Sequence, residues 1–574
     1  MVSSPSSRPR IWCTLDAFVE GGSILGRRVA NSTFLRALLR ADPFDGYHFF
    51  LPGTPDGEAL SRWLEEHFPA LLRRGAIHIK QRTHLDRHLA TVRYHCLHLS
   101  DPVSHYTQAA QLRNALAPFL FPLTGTTHSL SYARFMPEYA RHLWPGVSPR
   151  DAILATSESA RQVLNTIFSD LRRAYGLDPT DFPSPRAVLL PLGVEREDLP
   201  DVGERWENGP SPGRAMRDRL NLGEEVVFLC LARLSPYSKM DALPLFSALR
   251  RAESLGLPPD RCALILAGWA EEGDALPEAL LDYAAGMGLR ARLFPRPGNE
   301  ERRALYAAAD VFVSPSDNIQ ETFGLTVAEA GGASLPVIAS DFDGYRDIVV
   351  HGETGLLIPT IGFAQTTETE LRSLFWFDNQ YHLALAQQTV VEPAALAAAL
   401  ARLGTDAALR RRLGLAARER VLRLYAWDQI ITRMVDLWDE LAALPLSPEE
   451  ESRIRAAVHP LRMSFARSFQ AHFSRTLGPE TLAGLTLRAT AAGAALYREV
   501  LPLPQYAGME HLLDKNSLHR MLLAARKPIP AALLLDRLAA SLAEALPHMP
   551  PPLLQERASF SLLWALKHDY LEQA

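Results

Sequence analysis

SPSDNIQETFGLTVAEAGGASLPVIASD, residues 314–341, begins where an apolar strand-like run, Asp310–Val313, ends, and it contains a helix and the next strand. A helix start is expected at Phe323, Gly324 and Leu325, whose backbone N–H groups have no intrahelical acceptor and so form an anion site. Glu321 precedes that start. Glu329 falls about a turn and a half inside the helix, where a carboxylate can accept both hydroxyls of a ribose, as acids do in dinucleotide-binding folds. Two acids eight apart carry little weight alone in a chain with 65 acidic residues. Each equally fits a solvated loop or helix position.

Working upstream, EVVFLCLARL (225–234), CALILAGW (262–269), RARLFPR (290–296) and DVFVSPS (310–316) alternate with helix-length amphipathic stretches and lead into LPVIASD (335–341). That alternation predicts βαβ units and a parallel sheet. RLSPYSKMD (233–241) follows the first of these strands, so Arg233 and Lys239 fall at the carboxyl end of a parallel strand, where open α/β sheets bind ligands. A planar fork and a compact ammonium suit a diphosphate. Lysine is scarce here, only Lys80, Lys239, Lys515, Lys527 and Lys567 among 60 basic residues, which singles out Lys239.

A second alternating series occupies the N-terminal third: IWCTLDAF, YHFFLP, AIHIKQ, VRYHCLHL, ILATS and VLLPLG. EREDLPDVGERWENGPSPG (195–213), without a periodic apolar face, separates the two series. The expected class is α/β, with two Rossmann-like domains at 1–195 and 196–445. The second carries an inserted segment, 360–390, and a crossover helix, 427–445. From 446 to 574 only helical periodicity broken by prolines is visible, which predicts an appended all-α module that presents an acceptor or docks a partner, with a stabilising cap as the alternative. The insertion holds Phe375, Trp376, Phe377 and Tyr381, read as a small core of its own, with an acceptor platform as the alternative.

At roughly 100 to 200 residues per domain, 574 residues imply about three or four domains, and 47% hydrophobic with 22% charged residues is ordinary globular composition. A net charge of −5 gives no reason to expect nucleic acid as a partner. Cys13, Cys96, Cys230 and Cys262 form no CxxC pair, so neither a disulfide framework nor a zinc site is expected. No signal-like stretch and no run of about 18 apolar residues is present. The expectation is a cytoplasmic protein, with room for peripheral association at the inner membrane face.

Other chemistries fit less well. Asp341 and Asp343 form a DxD triplet, a metal-binding pattern in another setting. Gly21, Gly22 and Gly26 do not spell GxGxxG. The serines of GASLP and SFSLL lack a strand-elbow context.

In order, VLLPLGVE, LARLSPYSKMD, LILAGW, ADVFVSPSDN, ETFGLTVAEA, LPVIASD, HGETGLLIP and YAWDQIITRMVDLW resemble the motifs of the group 1 retaining glycosyltransferases of the GT-B fold. The resemblance implies two facing Rossmann-like domains and sugar transfer from a nucleotide-diphosphate donor to a glycan or lipid-linked acceptor. It implies Arg233 and Lys239 on the diphosphate, Glu329 on the ribose and Glu321 beside the transferred sugar. Phe323, Gly324 and Leu325 would supply backbone donors, Gly22 and Ser23 a close glycine loop, and His128 a ring facing the sugar. No cofactor and no metal is expected, because side-chain cations and the helix start would neutralise the diphosphate. A sugar-nucleotide epimerase of the same fold and a silent sugar-nucleotide-binding scaffold are the rivals. The Arg233–Lys239 spacing is one residue longer than the common form, and neither EAGGASLP nor the aromatic insertion belongs to the common core.

Overall fold

The computed structural model describes residues 9–19, 26–200, 212–269, 273, 275–504, 506, 512–547 and 549–574. Gly22 and Ser23 lie outside them, as does most of the 195–213 segment. Two compact units emerge. One comprises the described residues up to His84 with Tyr94–Gln111 and Leu120–Ala457, and the other Leu85–Arg93, Leu112–Phe119 and Val458–Ala574.

The first unit contains two parallel sheets. Strands β1 (Ile11–Thr14), β2 (Gly46–Leu51), β3 (Ile77–Gln81), β4 (Cys96–Leu99), β5 (Leu123–Thr126), β6 (Asp151–Ala155) and β7 (Arg186–Leu189) are ordered 3-2-1-4-5-6-7. Strands β8 (Val226–Leu231), β9 (Cys262–Gly268), β10 (Ala291–Pro295), β11 (Val311–Ser314), β12 (Val337–Ser340) and β13 (Gly355–Ile358) are ordered 10-9-8-11-12-13. Both are doubly wound, as expected for Rossmann-like domains. In each, the strand order reverses once, and at such a switch point the loops leaving the two central strands diverge and open a crevice. In the second sheet that point lies between β8 and β11, so the loops carrying Arg233 to Lys239 and Ser316 to Glu321 flank one crevice.

β5 was not anticipated. LTGT is too short and too polar to signal a strand, yet all four residues are buried between β4 and β6. The IWCTLDAF run stops pairing at Thr14, and Phe18 takes a left-handed φ of 58° that ends the extended path.

The helix Trp427–Ala443 ties the sheets together. Its apolar residues recur at helical spacing, and Trp427, Ile430, Ile431, Met434, Trp438 and Leu441 enter the same buried cluster as Trp12 and Leu154 of the first sheet and Phe34 of the helix Gly26–Ala41. Trp438 donates its indole N–H to Thr124 at 3.0 Å, and Arg150 donates to the Leu444 carbonyl at 2.6 Å. The chain reaches this helix from the second sheet through a bridge between Val194 and Ala426. Any side chain at Gly193 would collide with the Trp427 ring, so the crossing requires glycine there.

The insertion differs from its expected form. Phe375 and Phe377 are 92% and 82% exposed and pack into no core. Only Tyr381 of the aromatic set is fully buried, its hydroxyl accepting from the Ala133 N–H at 2.9 Å and donating to Asp378 at 2.7 Å. A short antiparallel pair, β14 (Thr360–Ile361) and β15 (Val390–Val391), closes the base of the insertion.

The second unit is mainly helical, as expected, but not all-α. Strands β16 (Thr486–Ala489), β17 (Ile529–Pro530) and β18 (Leu571–Gln573) form a small antiparallel sheet beside helices Ala531–Ala545 and Pro551–Lys567. These strands span two to four residues, too few to show alternation. Among the described residues no helix is long and apolar enough to cross a membrane.

Candidate active site

At the β8/β11 crevice, Lys239 and Glu321 form an ion pair whose side chains are only 10% and 14% exposed. The Tyr345 hydroxyl lies 2.9 Å from the same ammonium and 2.7 Å from the Ser314 hydroxyl. Burial works against the charge on Lys239, but the Glu321 carboxylate and Tyr345 outweigh it and hold the ammonium well above its ordinary value. Burial likewise opposes the charge on Glu321; Lys239 and the Phe323 N–H nevertheless bring its carboxyl below the usual range. The pair is therefore charged and strongly coupled.

Arg233 donates to the Ser238 carbonyl and to Gln320, each at 3.0 Å. Gln320 in turn hydrogen-bonds Tyr132 from the first-sheet domain. Phe323 and Gly324 lead into the helix Leu325–Gly332, and Gly324 has φ 102°, a conformation that favours glycine. A Cβ there would also lie 2.5 Å from the Tyr345 ring. That turn aims the first N–H groups of the helix at the crevice, and the Thr326 hydroxyl, buried beside them, has no hydrogen-bond partner.

Glu329 is 12% exposed and engaged. One guanidinium nitrogen of Arg302 reaches both of its oxygens at 2.5 and 2.6 Å, and Tyr306 donates to it at 2.8 Å. Arg302 and Tyr306, four apart on the helix Asn299–Ala308, were not singled out in the sequence, nor were Gln320 and Tyr345. The i, i+4 spacing toward one face was the available signal for the first two.

Two cavities meet here. One, of about 200 Å³, is lined by Arg233, Lys239, Trp269, Arg302, Glu321 and Thr326 among others. The second, of about 330 Å³, is lined by Asp101, His128, Tyr132, Arg134 and Thr322, and shares Arg233, Glu321 and Leu325 with the first. His128 reaches the second cavity from the loop after β5. Its backbone carbonyl accepts from Thr322, and its Nε2 is buried without a hydrogen-bond partner. Burial and the nearby Arg27 lower the ring's pKa to about 4, so at neutral pH the imidazole is uncharged.

The DxD carboxylates diverge. Asp341 accepts from Arg346 at 2.8 Å, whereas Asp343 accepts from the Ser157 hydroxyl at 3.2 Å. Burial and the Glu321 charge push Asp343 up to about 8. An unfolded aspartate loses its proton at about 3.9, so between these values the folded state binds more protons and stability falls as pH rises. Asp343→Asn should flatten that slope and stabilise the protein at pH 8 by more than about 1 kcal/mol, the value of one pKa unit. Urea unfolding of both proteins at pH 5 and 8 measures this; parallel pH dependence would refute it.

With this geometry in view, comparison with known proteins bears mainly on the second sheet. Residues 225–372 match the family model of glycosyl transferases group 1. The matched segment runs from the start of β8 into the insertion and contains Arg233, Lys239, Glu321 and Glu329. The D-inositol 3-phosphate glycosyltransferase of Rhodococcus erythropolis is 32% identical over 249 residues, 41% of this chain and 51% of that protein. Its counterpart in Salinispora tropica is 28% identical over 296 residues, 50% of this chain and 52% of that protein. The chain thus spans about half the length of the curated relatives it matches. Among solved structures, Anabaena HepE in complex with UDP and glucose aligns with a TM-score of 0.51 at 15% identity, covering 75% of this chain and all of that one. A glycosyltransferase from Rickettsia africae aligns with a TM-score of 0.51 at 13% identity, covering 76% of this chain and all of that one. At such identities the likeness shows the fold: residues 225–372 lie in the second half of a GT-B core.

Proposed function

We propose that this chain is a glycosyltransferase that moves a sugar from a nucleotide-diphosphate donor to a glycan or lipid-linked acceptor with retention of anomeric configuration, a hexosyltransferase-type reaction of class EC 2.4. The observation that carries this is the junction of the two cavities, where Arg233, Lys239, Glu321 and the start of helix Leu325–Gly332 converge. In this reading the nucleotide fills the smaller cavity, the sugar lies at the junction beside Glu321, and the acceptor enters through the larger one.

An ammonium has three donors. Lys239 directs two at Glu321 and Tyr345, which leaves a third for a phosphate oxygen. With the Arg233 guanidinium and the N–H groups of Gly324 and Leu325, it would stabilise the charge that develops on the departing diphosphate, while the Phe323 N–H stays on Glu321. That leaving group, facing the incoming hydroxyl, takes the acceptor proton in a front-face displacement. In this reading the neutral His128 ring, whose Nε2 has no hydrogen-bond partner, would hydrogen-bond a sugar hydroxyl, and Glu329 would hold the ribose. No metal or cofactor is assigned to any of these steps. The UDP and glucose in the HepE structure make UDP-glucose the first donor to try, and the relatives' name makes a phosphorylated polyol one acceptor. The chain would work in the cytoplasm as a peripheral protein at the inner membrane face.

The test is release of nucleoside diphosphate from UDP-, GDP- and ADP-sugars with and without acceptors, in EDTA, with the product anomer read by NMR. Acceptor-dependent release that survives EDTA and yields the donor's anomer is expected. An EDTA-abolished activity restored by magnesium, or an inverted product, would overturn the mechanism. Consumption of donor without acceptor, giving an epimeric sugar, would replace the reading.

A further inference from the structure

Within the second unit the hydrophobic core begins at Leu477 and runs through Leu487, Leu518, Leu535 and Leu562. Ahead of it, every residue from Pro460 through Thr476 is exposed. Phe465 and Phe473 are 71% and 59% exposed, Leu461 and Met463 are also exposed, and Phe465 stacks on Phe469 with ring centroids 6.2 Å apart. Monomeric proteins rarely show so continuous an apolar stretch without a partner for it.

Charge identifies the partner. Between Glu451 and Glu480 the sequence has no acidic residue but has Arg453, Arg455, Arg462, Arg467 and Arg475, in a chain whose net charge is −5. None of Arg462, Arg467 and Arg475 has an acidic partner among the described residues. Aromatic side chains interleaved with unpaired arginines are what an anionic lipid surface selects: rings enter the headgroup–acyl boundary while guanidinium groups meet lipid phosphates. Another exposed apolar stretch, Leu371 to Phe377, lacks this character, because Glu368, Glu370 and Asp378 flank it and its own arginine, Arg372, is paired with Glu368.

We infer that residues 460–476 form a docking surface for an anionic membrane. The inference rests on the peripheral placement proposed above and names the segment responsible.

The test is flotation of the full chain with phosphatidylcholine vesicles, with and without phosphatidylglycerol, at low and high salt. Binding should require phosphatidylglycerol and weaken with salt. The triple variants Arg462→Gln/Arg467→Gln/Arg475→Gln and Phe465→Ser/Phe469→Ser/Phe473→Ser should each lose at least about a hundredfold in partitioning. Both should keep the wild-type thermal midpoint and the wild-type rate on soluble substrates, since the altered side chains lie outside the core and the site. Equal binding to neutral vesicles, wild-type partitioning of both variants, or a variant-sensitive dimer in place of vesicle binding would each overturn the inference. Vesicle binding by a protein that turns over no nucleotide sugar would uphold docking and remove the transfer reading.

Discussion

Lys239→Met should destabilise the protein by about 3–5 kcal/mol, because it leaves the Glu321 carboxylate enclosed without its counter-charge. It should also abolish measurable sugar transfer. A second substitution separates these effects. In Lys239→Met/Glu321→Gln no uncompensated charge remains, and an amide of similar shape still meets the Phe323 N–H, so most of the lost stability should return. Transfer should not, since the third donor proposed for the diphosphate is gone and the acid beside the sugar is neutral. Urea midpoints and turnover, measured on the wild type and both variants, resolve the question. A single variant as stable as the wild type would mean the pair is not coupled as its geometry indicates. A double variant that regains turnover would reduce Lys239 and Glu321 to a structural pair.

Glu329→Gln should act on affinity instead. A charge-assisted hydrogen bond contributes about 1.5–3 kcal/mol, so nucleotide binding should weaken by roughly 10- to 100-fold while turnover at saturating donor changes little. Glu329 is already engaged by Arg302 and Tyr306, and a carboxylate has about four lone-pair sites. Both ribose hydroxyls can therefore be accepted only if Arg302 shifts. Arg302→Met should then alter nucleotide affinity as well, whereas a purely structural Glu329–Arg302 pair would lower stability in both variants and leave affinity untouched. Calorimetric titration with the nucleotide diphosphate distinguishes these results.

How much of this was legible in the sequence depends on how each signal is encoded. Strands β8, β9, β11 and β12 of the second sheet are continuous apolar runs buried on both faces, and the loops after β8 and β11 carry charge at fixed spacing, so both were readable. Lys239 stood out because lysine is scarce. The ion pair itself was not readable: Lys239 and Glu321 are 82 positions apart, and only the reversal of strand order between β8 and β11 makes them neighbours. Tyr345, which binds the same ammonium, follows the DxD triplet, where attention fell on the acids. The aromatic insertion misled because aromatic density usually indicates a core, whereas Phe375 and Phe377 face outward and, of the aromatic set, Tyr381 is the buried one, anchoring the segment together with His382. β5 and the three short strands of the second unit owe their pairing to neighbours already in place rather than to any pattern of their own.

On the proposed reading, the cavity at the carboxyl ends of β8 and β11 holds a nucleotide-diphosphate sugar. The most direct test is calorimetric titration of the full chain, in EDTA, with UDP-, GDP- and ADP-glucose, alongside Lys239→Met/Glu321→Gln. Saturable binding of one of these donors to the wild type, weakened at least about tenfold in the variant by loss of the charge-assisted contact, is the predicted result. Failure of all three to bind, or equal affinity in the two proteins, would contradict it.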